Sequence, residues 1–106
     1  MDAAMKHITS QDYEALAVSS DLLLIDFYAT WCGPCKMLAP VLEEVSANYP
    51  EVTFVKVNVD EEEDLARKFR IQVIPTLVFV KNGEVLKTTT GYMDADALSA
   101  LIDSVK

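Results

Sequence analysis

Apolar residues along the chain fall into short continuous blocks that alternate with longer blocks of helical spacing. Three short blocks have the β-branched and aromatic content typical of strands buried on both faces. They are Leu22–Ala29, Val52–Val59 and Thr76–Val80. Asn82-Gly83 suits a tight hairpin turn after the third block, so Glu84–Thr90 is predicted to return as an antiparallel strand. A weaker strand is expected at Met5–Ile8.

Four longer blocks predict helices. They are Ser10–Val18 with Ser10 as its N-cap, Pro34–Tyr49 with Pro50 as a stop signal, Asp60–Phe69, and Asp94–Val105. The second block has apolar residues at the spacing of one buried face, namely Met37, Leu38, Val41, Leu42 and Val45. The third block opens on five acidic residues and closes near Arg67 and Lys68, which complements the helix dipole at both ends.

The predicted elements follow the order β-α-β-α-β-α-β-β-α. Strands that alternate with helices indicate an α/β fold, here a three-layer α/β/α sandwich with a central five-stranded mixed sheet and four helices on its two faces. The 106 residues have the size of one domain, and no repeat, linker or low-complexity tract interrupts them. We therefore expect a single domain over residues 1–106.

Charge and hydropathy narrow the range of partners. Seventeen acidic residues against nine basic ones give a net charge of −8, which disfavours nucleic acid and anionic membranes as partners. Met1–Ala15 holds no apolar stretch of signal-peptide length, and the longest apolar run is too short to span a membrane. These features predict a cytoplasmic protein.

The two cysteines, Cys32 and Cys35, stand where a predicted buried strand leads into a helix. Gly33 permits a close turn between them, and Pro34 fits a first helical turn, where its missing N–H is not needed. A spacing of three brings Cys35 back to the same face, so a disulfide can form with little backbone movement. The helix N-terminus favours a Cys32 thiolate, the species that attacks disulfides. We expect Cys32 to be exposed and Cys35 to be sheltered.

A cysteine pair at this spacing also occurs in metal sites. A closed structural zinc site needs four ligands, but the chain has no second cysteine pair and His7 is its only histidine. No metal site is therefore expected within one chain. The strand-to-helix position and the Gly-Pro interior favour a redox pair, with a cluster shared between two chains as the remaining alternative.

Asp26 interrupts a strand that should be buried on both faces. Two interpretations are open: a strand-end residue that faces solvent, or a buried carboxyl whose pKa is raised by desolvation. Lys56 lies in the strand expected beside Asp26, where a solvated lysine is the simplest interpretation. The residues alone do not decide between these readings.

The segment Asp26–Lys36, which reads DFYATWCGPCK, resembles the active-site signature of the thioredoxin family. The resemblance continues in order and spacing at Pro40, Lys56–Asp60, Ile74–Thr76, Lys81–Glu84 and Gly91. It implies the thioredoxin fold, proton exchange between Asp26 and Cys35, and a modulating role for Lys56. Tyr28 departs from the pattern, since many family members have tryptophan there. Because both side chains are amphipathic aromatics, we expect the departure to bear on fluorescence and local packing rather than on activity.

The same resemblance implies a substrate groove beside the cysteine pair. The peptide bond before Pro75 is expected to be cis, with the backbone of Ile74 pairing with an extended substrate segment. Trp31 is expected at the rim of the groove. Gly91, which has no side chain, is expected to keep the groove open, with Tyr92 following it.

The family resemblance implies a monomeric dithiol that reduces disulfide-containing proteins, with no bound cofactor. A thioredoxin reductase would recharge it with electrons from NADPH. The Gly-Pro dipeptide supports this direction, because a histidine between the cysteines would stabilise the thiolate and make the disulfide a stronger oxidant. An oxidase or isomerase of the same fold is a second interpretation, opposed by the missing histidine and export signal. A third is a binding module whose groove grips its partner in either redox state.

Overall fold

The computed structural model describes residues 5–106, and within them the predicted elements occur in the expected order. The first four residues of the segment searched for a signal peptide lie outside the described residues. The elements are β1 (Lys6–His7), α1 (Ser10–Ser19), β2 (Leu23–Tyr28), α2 (Gly33–Ser46), β3 (Thr53–Asn58), α3 (Glu63–Lys68), β4 (Thr76–Lys81), β5 (Glu84–Thr90) and α4 (Ala95–Val105). Each strand agrees with its predicted bounds to within one residue.

The strands form one mixed sheet of five strands in the order β1-β3-β2-β4-β5. β3 runs parallel to β1 and β2, whereas β4 is antiparallel to both β2 and β5. The β4–β5 connection is the predicted tight turn, with positive φ at Asn82 (52°) and Gly83 (79°). The predicted fold class is confirmed.

Alternate strand positions point into two separate core layers, which is why β2 is apolar along nearly its whole length. On one face the sheet packs against α2 and α4 through buried residues that include Leu24, Phe54, Leu77, Leu38 and Ile102. On the other face it packs against α1 and α3 through residues that include Ile25, Phe27, Val78, Tyr13 and Leu65. Helices therefore cover both faces, as predicted.

Helix α1 is capped by Thr9, not by Ser10 as the sequence suggested. The Thr9 hydroxyl accepts a hydrogen bond from the Asp12 backbone N–H at 3.3 Å, and the Asp12 carboxylate accepts one from the Thr9 N–H at 3.1 Å. This reciprocal capping box satisfies two amides that the helix leaves unpaired. Ser10 is consequently the first residue of the helix.

Helix α3 begins at Glu63, three residues after the predicted start. The side chain of Asn58 accepts a hydrogen bond from the Asp60 N–H at 2.9 Å, and the Asn58 carbonyl accepts from the next two N–H groups. Asp60–Glu62 are thereby held in a turn before the helix. The prediction of a helix from Asp60 was wrong because it did not foresee this side-chain turn.

Helix α2 ends at Ser46. Met37 was predicted to lie on the buried face of this helix, and this prediction was wrong. The buried positions are Cys35, Leu38, Leu42 and Val45, which recur at helical spacing. Met37 lies off this stripe and is exposed.

Among residues 5–106, no helix is both long enough and apolar enough to cross a membrane.

Candidate active site

The junction of β2 and α2 positions the cysteine pair. Cys32 is the N-cap residue of α2 with an extended backbone, and its Sγ accepts a hydrogen bond from the Cys35 N–H at 3.2 Å. Pro34 lies in the first turn, as predicted, where a missing N–H leaves no bond unmade. Gly33 has ordinary helical geometry with nothing within 4 Å of an added Cβ, so the turn does not require a glycine there.

Cys32 and Cys35 form a disulfide across this turn, with their Cα atoms 5.2 Å apart. Their side chains pack with Ala29 and against Tyr28 and Ile74. The expectation that Cys32 is exposed and Cys35 sheltered does not hold in this oxidised state, because the two residues are 5% and 4% exposed. The asymmetry between them is instead electronic. Among the hydrogen bonds of residues 5–106, one from the helix N-terminus reaches Cys32 Sγ and none reaches Cys35 Sγ, which would stabilise the Cys32 thiolate.

Asp26 lies in β2 behind the disulfide and is 3% exposed, so the interpretation as a solvent-facing strand end was wrong. Among the described residues no hydrogen-bond partner is found for its Oδ1. Burial raises the pKa of Asp26 from 3.8 to about 7, against the opposing effect of the Lys56 cation. A carboxyl with this pKa can accept or release a proton near neutral pH.

Lys56 is the direct neighbour of Asp26 in the parallel β2–β3 register. It is half-buried, and with Asp26 and Cys35 it lines a cavity of about 240 Å³. The other lining residues are Tyr28, Ala29, Thr30, Lys36 and Ala39. The structure thus brings the predicted carboxyl, lysine and second cysteine to one cavity on the inner side of the disulfide.

The outer side of the disulfide carries the residues predicted for the groove. The Ile74–Pro75 peptide bond is cis, as the resemblance implied, and Ile74 packs against the cysteine pair. Trp31 is 68% exposed, and its indole N–H donates to the Asp60 carboxylate at 2.9 Å. Gly91 adopts a left-handed φ of 89°, which requires a glycine, and its N–H donates to the Pro75 carbonyl at 2.8 Å.

Several residues of the site were not found by sequence reasoning. Met37, one turn into α2, and Val73, which precedes Ile74, are exposed apolar residues, as are Trp31 and Tyr92. His7, which was considered from the sequence only as a metal ligand, places its Nε2 within hydrogen-bond distance of the Tyr28 hydroxyl. No local pattern could reveal this contact, because it joins strands separated in the sheet by β3.

Comparison with known proteins decides the family. A sequence model of the thioredoxin family matches residues 4–104. The chain belongs to the thioredoxin family. A thioredoxin from Chlamydia trachomatis serovar D is 44% identical over 98 residues, which cover 92% of this chain and 96% of that protein.

Solved thioredoxin structures share the fold described above. Mitochondrial thioredoxin 3 from Saccharomyces cerevisiae, in its oxidised form, covers 96% of each chain with a TM-score of 0.88 and 37% identity. A chain from a structure of the thiol resolving mechanism in yeast mitochondrial 1-Cys peroxiredoxin covers 97% of each chain with a TM-score of 0.88 and 36% identity. As a member of this family, the chain is a thiol-disulfide oxidoreductase that reduces protein disulfides by dithiol exchange through Cys32 and Cys35.

Proposed function

We propose that Cys32 is the attacking thiol and Cys35 the resolving thiol of this exchange. The Cys32 thiolate attacks one sulfur of a substrate disulfide; that S–S bond breaks, a mixed disulfide forms, and one substrate thiolate leaves. Cys35 then loses its proton, attacks the Cys32 sulfur and releases the second substrate thiol. Two electrons pass to the substrate, and the Cys32–Cys35 disulfide seen here is the product. The observation that carries the assignment is the hydrogen bond from the Cys35 N–H to the Cys32 sulfur.

Asp26 is the proton acceptor for Cys35 in this proposal. Both groups line one cavity, which gives a proton a route between them directly or through water. The raised pKa of Asp26, about 7, suits a carboxyl that takes a proton when Cys35 attacks and returns it when the dithiol is regenerated. Lys56 modulates this step by stabilising the ionised carboxylate.

Substrate chains bind on the outer side. Trp31 and Tyr92 offer exposed aromatic surface at this side, and Ile74 is available to pair its backbone with an extended segment of the substrate. Exposed apolar surface of this kind suits partners of varied sequence, because burial of apolar area is non-directional.

A thioredoxin reductase returns the disulfide to the dithiol, with NADPH as the source of electrons, and the protein acts as a monomeric single domain. Family membership supports the reductase, and the yeast peroxiredoxin structure illustrates a protein partner of a related system. The proposed exchange uses an attacking thiol, a resolving thiol and a proton acceptor that this one chain supplies, so it requires no second copy. The cytoplasmic location stays a prediction, which cell fractionation can measure.

The assignment of the two thiols is tested by mild iodoacetamide treatment of the reduced protein, followed by mass mapping. We expect carbamidomethylation at Cys32 first, because the thiolate is the reactive species and the helix N-terminus donates a hydrogen bond to the Cys32 sulfur. A Cys32→Ser variant is the matched control and should label slowly at Cys35. Faster labelling at Cys35 in the parent protein would reverse the assignment.

A further inference from the structure

Three residues from neighbouring strands form a row on the face of the sheet that packs against α2 and α4. In the sheet register His7 of β1 is opposite Lys56 of β3, and Lys56 is opposite Asp26 of β2. Residues that pair directly point to the same face of a sheet. Burial increases along the row, from exposed His7 to half-buried Lys56 and fully buried Asp26. The row therefore leads from solvent to the buried carboxyl.

Tyr28 connects the two ends of this row. It lies two residues after Asp26 on the same strand and thus on the same face. Its hydroxyl lies within hydrogen-bond distance of His7 Nε2, with the two ring centroids 5.7 Å apart, so the side chain spans the strand that carries Lys56. The Lys56 ammonium lies over the Tyr28 ring, 5.2 Å from its centroid. This distance is within the range of a cation–π interaction.

Among the described residues, the titratable side chains that line the cavity with Asp26 come from β2, β3 and α2. β3 contributes Lys56, α2 contributes Lys36 and the Cys35 sulfur to the shared cavity, and β4 places apolar Leu77 opposite Asp26. Tyr28 lines the same cavity from β2. Because a lysine side chain has many rotamers, the position of its charge depends on what holds it.

We propose that Tyr28, anchored by His7, is a positioning residue that holds the Lys56 ammonium beside Asp26 in the cavity behind Cys35. The inference rests on the proposed role of Asp26 as the proton acceptor. Tyr28 also packs against the cluster of Ala29, Cys32 and Cys35, but the contact that carries this role is the one between its ring and the Lys56 ammonium, so it is assigned to act through Lys56. Its ring supplies an attractive face that keeps the cation near the carboxylate while the disulfide opens and closes.

The test is a double-mutant cycle on the titration of Asp26 in the oxidised protein, followed by NMR of the labelled carboxyl carbon. The proteins are the parent, Tyr28→Leu, Lys56→Met and the double variant. We expect Lys56→Met to raise the midpoint by about one pH unit or more, because an opposite charge is removed. Tyr28→Leu alone should raise it in the same direction. In the Lys56→Met background, Tyr28→Leu should have no further effect.

The anchor is tested with exposed His7, whose substitution does not disturb the core. His7→Ala should raise the Asp26 midpoint in the same direction as Tyr28→Leu but by less, and Tyr28→Phe, which keeps the ring, should reproduce the His7→Ala value. Lys6→Ala, at the neighbouring exposed position, is the control and should leave the midpoint unchanged.

A Tyr28→Leu shift of equal size with and without Lys56, no shift, or a shift to lower pH would overturn the positioning role. Equal shifts for His7→Ala and Lys6→Ala would overturn the anchor. The titration measures the environment of the carboxyl whether or not Asp26 takes the proton of Cys35. Failure of this inference is thus separate from failure of the proposed function, which the turnover of an Asp26 variant tests.

Discussion

The two sides of the Cys32–Cys35 disulfide differ in the kind of surface they present. The outer side carries exposed aromatic residues, with Trp31 at 68% and Tyr92 at 45% exposure. The inner side is a cavity in which Asp26 is 3% exposed and Lys56 is half-buried. An exposed apolar surface can bind varied partners, whereas a titratable group must be removed from water before its pKa moves towards neutrality. The first turn of α2, which holds the cysteine pair, thus separates an exposed surface that can bind substrates from a cavity in which a proton can be transferred.

The largest expected effect comes from the disulfide that both sides share. Cys32→Ser should abolish reduction of insulin disulfides, because the attacking thiol is lost. Cys35→Ser should also lose turnover but should accumulate mixed disulfides with substrates, since nothing resolves them. Non-reducing electrophoresis of each variant after incubation with oxidised insulin measures the difference. Mixed disulfides that form equally in both variants would contradict the assigned order of attack.

The inner side should respond to Asp26→Asn in both stability and turnover. In the oxidised parent, the carboxyl has a pKa of about 7 when folded and 3.8 as an ordinary value. Between these values the unfolded chain has lost a proton that the folded chain keeps, so the free energy of unfolding falls as pH rises. The loss should reach about 4 kcal/mol above neutrality and be absent below pH 4.

Because asparagine cannot ionise, the variant should be more stable than the parent at pH 8 and nearly equal to it below pH 4. Its turnover should fall by about a hundredfold, the low end of the range for the loss of a positioned proton acceptor. Denaturant melts from pH 3.5 to 8.5 measure the stability. The same substitution at exposed Asp21 is the control and should keep the pH dependence of the parent. A variant less stable than the parent at pH 8 would show that the carboxylate is well paired when folded.

The sequence predicted the strands more accurately than the starts of the helices. Hydrophobic spacing was sufficient to place the strands to within one residue, because each strand is a contiguous signal. The start of α3 was missed because Asn58 captures the preceding turn through its side chain, and α1 is capped by Thr9 because Asp12 completes a capping box. Such ends depend on one or two hydrogen bonds, which spacing does not encode.

Among the site residues, those that belong to a local motif could be predicted from the sequence, and contacts between distant strands could not. The motif and the family resemblance indicated Asp26, and its burial follows from its place in a strand covered on both faces. The contact between Tyr28 and His7 depends on strand order and register across β3, which no local pattern encodes. The near-equal burial of the two cysteines likewise depends on residues distant in sequence, because Val59 and Ile74 pack against their cluster.

On the outer side, Trp31→Ala should weaken the reduction of protein disulfides while leaving small disulfides unaffected. The exposed indole offers apolar area to a protein chain, and an aromatic residue at such a position contributes about 1–2 kcal/mol, or roughly five- to thirtyfold in kcat/KM. Insulin and a small aromatic disulfide are the two substrates. The control is Val18→Ala at the opposite end of the sheet. Val18 is a suitable match because it is 69% exposed, compared with 68% for Trp31. Equal losses on both substrates would place Trp31 in the chemistry rather than in binding.

The smallest effect is expected where Asp60 orients Trp31. The indole N–H donates to the Asp60 carboxylate at 2.9 Å, and the two side chains are exposed, so the bond contributes about 0.5–1 kcal/mol, the lower part of the range for a hydrogen bond. Asp60→Ala should therefore raise KM for insulin by about two- to fivefold, less than Trp31→Ala, with kcat unchanged. Glu61→Ala is the control, because it removes the same charge from the next exposed residue. It separates the orientation of the Trp31 indole by Asp60 from the effect of a negative charge in this turn. If orientation is the cause, only Asp60→Ala changes KM, and its effect disappears in a Trp31→Ala background because no indole remains to be held. Equal effects of both substitutions would instead show that the acidic turn acts through its charge and that the hydrogen bond to Asp60 does not orient Trp31.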